Sequence, residues 1–371
     1  MKLICSQKDL KNALLSVSRA LPSKPQTPIL NGIYFSAREN ILEMQATDFS
    51  IGIIAKIPAE IEVEGEIVIN GKQITECISK LSGDIVNFEV VDQSAIIKSA
   101  ASQRTLYTME AEEFPKIQTQ EYTHSFFIKN EILKDLINRS LFACAGEKDT
   151  RPIFKGCSVT ITENVITFVA TDTHRLVIIG GEIEDTISEE IKIIVPASAL
   201  RDIFGILNNT HDERGVKVDF SDKHMACTVN NIFVTCRLID GAFPPHEKLI
   251  PESFNTSVSV DVEDFLSAMS RVESVSRETE YDTMICRFSD EGLELSADSF
   301  TAGQVIEHLN AQIEGQPLNI AFKLGYVKDF LRFADKDSSV KISMNEPLSP
   351  AVFTLPEDTN ITYVVTPIRT Q

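Results

Sequence analysis

The stretch "FVATDTHRLVI", residues 168–178, places Asp172, His174 and Arg175 within four positions, bracketed by apolar and β-branched residues. Three chemistries are open to such a set. A carboxylate and an imidazole can begin a metal site, as in a metal-dependent hydrolase. The same two can act as an acid–base pair. Or Asp and Thr can bond nearby backbone groups where a strand ends. A zinc site needs further ligands at short spacing, and His124, His211, His224, His246 and His308 show no HxxxH or HxH pattern. No Gly-rich phosphate loop and no GxSxG nucleophile elbow occurs. Seven cysteines without CxxC spacing read as small, reduced, apolar residues, so no metal, cofactor or disulfide framework is expected.

The elements that must position this triplet recur along the chain. "LEMQATDFS" carries Ala46, Thr47 and Asp48; "TFVATDTHR" carries Ala170, Thr171 and Asp172, 124 residues on; "LELSADSFT" carries Ala297 and Asp298 after a further 127. "TPILNGIYF" and "RPIFKGCSV" repeat Pro28 and Gly32 as Pro152 and Gly156, again 124 apart. Phe114-Pro115 and Phe243-Pro244 close the first two copies. Repetition at nearly a domain's length means duplicated domains, not a solenoid. Each copy reads as α+β, with two helices and several short antiparallel strands. Polar breaks set the domains at 1–122, 123–250 and 251–371. A corner present in every copy is expected to be structural first, through local Asp and Thr bonds.

The chain has 371 residues, 43% of them hydrophobic, and a formal charge of −19. No apolar run is long enough to span a membrane. The start "MKLICSQKDL" is too short for a signal peptide, so a cytoplasmic protein is expected. Such acidity argues against a nucleic-acid partner only if it is spread evenly. Helices are predicted over 8–20, 71–82, 129–143, 196–208, 261–277 and 323–336, and these spans together carry +4. In 8–20, Leu10, Leu14 and Val17 form the apolar stripe, with Lys8, Lys11 and Arg19 opposite. The acid therefore belongs to strands and loops.

The triple repeat, "ATDTHRL", "VPASAL", the "FP" corners and the terminal "YVVTPIR" together resemble the bacterial DNA polymerase III beta subunits, the sliding clamps, over the whole length. The resemblance implies the DNA-clamp fold, with helices on the inner face, sheets on the outer face, and a head-to-tail homodimer forming a ring around duplex DNA. It implies a non-catalytic processivity factor whose partners are the replicative polymerase, the clamp loader and other proteins bearing short clamp-binding peptides. By the same resemblance Lys24, Lys72 and Lys148 meet DNA, with Lys8, Lys11, Arg19, Lys129, Lys134, Arg139, Arg201, Lys328 and Arg332 as further candidates. Helix 196–208 departs from relatives, with Ala197 and Ser198 where cations are common.

A peptide groove is implied at Phe154, Thr171, Thr173, His174, Arg175 and Leu176, then Pro244, Lys248 and Leu249, then Tyr326, Leu348 and Pro350, and finally Val364, Val365, Pro367, Ile368 and Arg369. Leu176, Leu249, Val364 and Ile368 would make apolar pockets, with Arg175 and Arg369 at the rim. Thr173, where glycine is common, and the Thr370-Gln371 end depart from the usual pattern. The dimer interface is expected at exposed sheet edges, with Lys98, Arg104 and Leu106 on one side and Val275 and Glu307 on the other. The competing readings are the Asp172/His174 hydrolase and a β-rich protein-binding scaffold that does not touch DNA.

Overall fold

The computed structural model describes residues 1–118, 120–210 and 215–369. Among these residues six helices fall where the apolar periodicity puts them: α1 Gln7–Val17, α2 Gly71–Ser79, α3 Asn130–Ser140, α4 Ala197–Leu207, α5 Val262–Ser276 and α6 Leu324–Leu331. Each is shorter than its predicted span, because single 3₁₀ turns or caps take over at the ends. Ser6, Asn70 and Asp261 cap α1, α2 and α5 by accepting the N–H of Asp9, Gln73 and Asp264. Leu10, Leu14 and Val17 are buried, as are Ile74 and Ile78 of α2 and Val327 and Phe330 of α6.

These shorter bounds alter the charge reading. The six helices carry eight Lys or Arg against nine Asp or Glu, a net of −1 instead of the expected +4. Arg19, Lys80, Lys129, Arg277, Lys323, Arg332 and Lys336 flank the helices instead of lying within them.

The chain divides into two compact units. The first comprises Met1–Lys134, Ile183–Thr186 and Ser198–Ile239. Its strands make one 13-stranded sheet, in which Ile232–Arg237 pairs antiparallel with Ile51–Pro58. Tyr34 and Phe114 stack with ring centroids 5.4 Å apart above Ile29, Leu30 and Val68, so the first "FP" corner closes a core cluster. Pro28 opens a 3₁₀ turn that delivers the chain into Gly32–Arg38. A Cβ at Gly32 would lie 2.2 Å from the Val68 side chain, which is why the repeat needs glycine there.

The second unit comprises Asp135–Glu182, Ile187–Ala197 and Asp240–Gln371. Pro152 opens the equivalent 3₁₀ turn into Gly156–Thr171. A seven-stranded sheet pairs Arg175–Pro196 with Asp358–Val365, and a four-stranded sheet runs from Gly303–Leu309 to Leu318–Lys323. Its core is aromatic: Tyr363 and Phe330 stack at 4.9 Å, with Phe353 edge-on to Phe330 at 6.4 Å. The buried Tyr363 hydroxyl donates to the Tyr326 carbonyl at 2.9 Å.

Candidate partner groove and nucleic-acid-facing cations

The triplet in residues 172–175 is a turn. Asp172 Oδ1 accepts the backbone N–H of His174 at 2.9 Å and of Arg175 at 3.0 Å. Thr171 Oγ1 donates to the Arg175 carbonyl at 2.6 Å and accepts the Thr173 N–H at 3.0 Å. Thr173 sits at φ 78°, the left-handed region that favours glycine. The first copy builds the same corner. Asp48 Oδ1 accepts from Ser50 and Ile51, Thr47 Oγ1 bonds the Ile51 carbonyl and the Phe49 N–H, and Phe49 has φ 72°. The third copy corrects the expectation of a corner in every repeat. Asp298 there is an exposed strand residue paired with Gln304, and the chain turns instead through the hairpin after Ser299.

Arg175 has a different task from the rim position implied for it. Its side chain is only 11% exposed. The guanidinium bonds Asp172 at 2.9 Å and Asp329 of α6 at 2.6 Å, and lies over the Tyr326 ring at 4.3 Å. Burial works against its charge, but Tyr363 and the two carboxylates outweigh that and raise its pKa. Arg175 thus locks the corner to α6. Asp172 accepts two backbone N–H bonds and this pair, and among the described residues no three His, Cys, Asp or Glu side chains cluster to hold a metal.

Register completes the groove. Leu176 pairs with Val364, and the His174 carbonyl accepts both the N–H and the hydroxyl of Thr366 at 2.9 Å. Val169, Leu176, Val352 and Val364 form an apolar floor, covered in part by Ile178, Phe243, Ile250 and Phe254. Phe154 is buried beside it, edge-on to Phe243 at 6.1 Å, with the Arg151 guanidinium over its ring at 4.6 Å. Of the implied groove residues, Thr173, His174, Pro244, Lys248, Leu249, Leu348 and Arg369 are exposed, whereas Tyr326, Pro350, Pro367 and Ile368 are half-buried. Phe154, Thr171, Leu176 and Val364 are buried floor. Val365 is fully buried and offers no surface, since alternation along the strand turns it away from Val364. Thr370 and Gln371 lie outside the described residues, as does His211. Phe243, Ile250, Phe254 and Asp329 were not among the implied site residues; the "FP" motif was the one available signal, and it pointed to Phe243.

The cations divide by environment. Lys24, Lys72 and Lys148 are exposed, as are Lys8 and Arg201, while Lys11 and Lys134 are half-buried. The loop carrying Lys148 is pinned by Arg151, which bonds Asp149 at 2.7 Å and holds its carboxyl well below the usual range. Lys129 lies 3.6 Å from Glu184, and Lys328 bonds Glu273 at 2.6 Å. Arg332 stacks over Phe333 at 4.5 Å. Arg19 faces Asp202 at 3.8 Å, and Gly205 leaves room for its guanidinium. Burial pushes the Asp202 carboxyl up to about 6, against the opposing pull of Arg19 and Arg201. Arg139 is a correction: its side chain is 11% exposed and paired with Asp135 and Asp358, so it presents no free charge to a phosphate.

Both units also carry an open sheet edge. Among the described residues, only Thr108 and Met109 of Ser102–Met109 pair beyond the Ser94–Ser99 neighbour, leaving the stretch with Arg104 and Leu106 unpaired on one side. Gly303–Leu309 is the outer strand of the four-stranded sheet, where Glu307 bonds Arg271 at 2.8 Å. Lys98 is exposed on the neighbour of the first edge. Val275 also departs from its expected place: it lies on the inward face of α5, 7% exposed, and belongs to the core.

With this geometry in hand, the chain was compared with known proteins. Three models of the DNA polymerase III beta subunit match it in order: the N-terminal domain over 1–118, the central domain over 127–245 and the C-terminal domain over 247–369. It is 29% identical to the beta sliding clamp of Synechococcus elongatus, over 100% of this chain and 99% of that protein. It is 28% identical to the beta sliding clamp of Bacillus subtilis, over the full length of both. The crystal structure of the Bacillus subtilis DNA polymerase sliding clamp superposes with a TM-score of 0.93 over 100% of each chain. The Thermotoga maritima DNA polymerase III beta subunit, 24% identical, shares the fold with a TM-score of 0.94 over 100% of each chain.

Proposed function

Because the chain belongs to the DNA polymerase III beta subunit family, we propose that it encircles duplex DNA as a sliding clamp and tethers the replicative polymerase to it. The role is non-catalytic: the protein supplies processivity by topology. The observation that carries this reading is the full-length, repeat-for-repeat match to the Bacillus subtilis sliding clamp. The three repeats are taken as domains 1–122, 123–250 and 251–371.

Two copies pair through their open edges, Arg104 and Leu106 of one protomer facing the Glu307 strand of its partner. Unpaired strand edges are the natural seat for such pairing. Exposed Lys24, Lys72 and Lys148, with the helix-flanking cations, meet phosphates without reading bases, so the contact is salt-sensitive and leaves the duplex mobile. The acidic remainder of the chain keeps DNA off other surfaces.

The groove over Leu176 and Val364 takes short peptides of the polymerase, the clamp loader and other replication proteins. Their apolar anchors displace Phe243, Ile250 or Phe254 from the floor, and Thr173, His174, Leu249 and Arg369 meet the peptide at the rim. The protein acts in the cytoplasm, as the bacterial replication clamps it resembles suggest; no helix among the described residues is long and apolar enough to cross a membrane.

The deciding experiment loads the protein onto closed-circular and linear plasmids with its clamp loader and ATP, then separates free from DNA-bound protein by gel filtration. Retention on circles with release from linear ends is expected. Equal retention on both would make it an ordinary DNA-binding protein, and retention on neither would favour a scaffold that binds proteins alone.

A further inference from the structure

The first unit contains a register-for-register counterpart of the groove just described. Ile51 and Gly52 pair with Cys236 and Thr235 as Arg175 and Leu176 pair with Val365 and Val364. The Arg237 N–H bonds the Ser50 carbonyl at 3.0 Å, as the Thr366 N–H bonds that of His174. A cleft of about 320 Å³ lies over this corner.

Its chemistry differs from that of its counterpart. Where Arg175 locks the second corner, the first has Ile51, and where Thr173 stands, the first has Phe49. Phe49 is a bulky residue at φ 72°, and it is 56% exposed. A left-handed backbone that leaves more than half of an aromatic residue in solvent gains little packing within this chain, and such strain collects at binding sites. The cleft also shows how an extended segment seats itself there. Ile117 of the chain lies in the notch left by Gly52, 2.9 Å from where a Cβ would stand, and its N–H donates to Gln45 Oε1 at 2.9 Å.

The electrostatics select the occupant. Among the described residues the cleft is lined by Lys116 and Arg237 and by no carboxylate, in a chain of net charge −19, while burial lowers the pKa of His224 beside them and favours its neutral form. Lys116 is shared with Glu66 at 2.8 Å, but Arg237 is exposed and enters no ion pair among the described residues. His224 sits directly across the strand pair from Arg237.

We propose that this cleft is a second peptide site, which takes an acidic segment with an apolar anchor: the anchor packs on Phe49 beside Ile117, and flanking carboxylates pair with Arg237. The proposal rests on neither DNA binding nor the second groove, so its failure would leave the clamp reading intact.

The test measures fluorescence anisotropy of two labelled hexapeptides, Asp-Glu-Leu-Phe-Asp-Glu and Lys-Lys-Leu-Phe-Lys-Lys, with the full chain. The acidic peptide is expected to bind and the basic one not. R237E should weaken the acidic peptide at least tenfold, F49A at least fivefold, and L249D, which alters the second groove, should leave it bound. Circular dichroism checks that each variant is folded; Arg237 and Phe49 are both exposed, so at least one remains informative. No binding, equal binding of both peptides, unchanged affinity in R237E, or loss in L249D alone would each overturn the proposal.

Discussion

Arg175 and Asp329, 154 residues apart in sequence, meet at 2.6 Å and fasten the corner of the second repeat to helix α6. The same guanidinium holds Asp172, so one side chain joins a turn, a strand and a helix around the apolar floor.

Arg175→Ala should therefore damage stability and the groove together. Removing one partner of a buried pair strands the other charges, at roughly 3–5 kcal/mol. Asp329 is 42% exposed and water screens it, so about 2 kcal/mol is the expected loss. Urea unfolding monitored by fluorescence measures it. Arg175→Lys should recover little, because a point ammonium cannot span both carboxylates and stack on Tyr326.

The DNA contacts make a second prediction. Alanine at Lys24, Lys72 and Lys148 should flatten the salt dependence of duplex binding, by about 0.9 in the log–log slope for each phosphate contact removed. Arg139→Ala should leave that slope unchanged while lowering stability by about 1–2 kcal/mol, because Asp135 and Asp358 lose their partner but are 53% and 30% exposed and screened by water. Titrations across a series of salt concentrations, paired with thermal melts, separate the two effects.

Asp202 supplies a pH signature. Its folded pKa of about 6 lies above its ordinary 3.8, so the folded state holds a proton that the unfolded chain has released. The protonated carboxyl therefore favours the fold below the ordinary value, and that contribution is lost as pH rises through about 6. Asp202→Asn should raise stability at pH 7 and flatten the stability curve between about pH 4 and 6, although it removes the partner that Arg19 meets at 3.8 Å. Melting temperatures across that range, wild type against variant, provide the check.

What could be read from the chain beforehand divides along a physical line. The Thr171-Asp172 corner was legible because its bonds span two to four residues, and side-chain type alone determines them. The six helices were legible from apolar periodicity. Arg175 was misread because Asp329 and Tyr326, which fix its role, are distant in sequence, and a cation beside a groove looks alike whether buried or free. Arg139 was misread for the same reason, since Asp358 arrives from a strand more than two hundred residues later. The helix charge was overstated because cations concentrate at helix ends, where a shift of two or three residues in a boundary changes the sum. Val365 shows the complementary limit: alternation along a strand separates it from Val364, but only the pairing with Arg175 says which of the two faces the floor.

The ring requires pairing between copies, and the two open edges distinguish a residue that serves that pairing from one that serves the fold. Leu106 is half-buried on a strand whose outer side, along Arg104 and Thr105, has no partner among the described residues, whereas Val275 is enclosed by its own unit. A glutamate at Leu106 puts a charge where an apolar contact between protomers would form, and it disturbs no core. Leu106→Glu should therefore yield a folded monomer, with half the mass by light scattering and an unchanged circular dichroism spectrum. Val275→Glu buries an unpaired charge within the α5 core and should unfold the protein instead of dissociating it. A dimer that persists in folded Leu106→Glu at micromolar concentration would remove this edge from the interface, and a stable wild-type monomer would remove the ring.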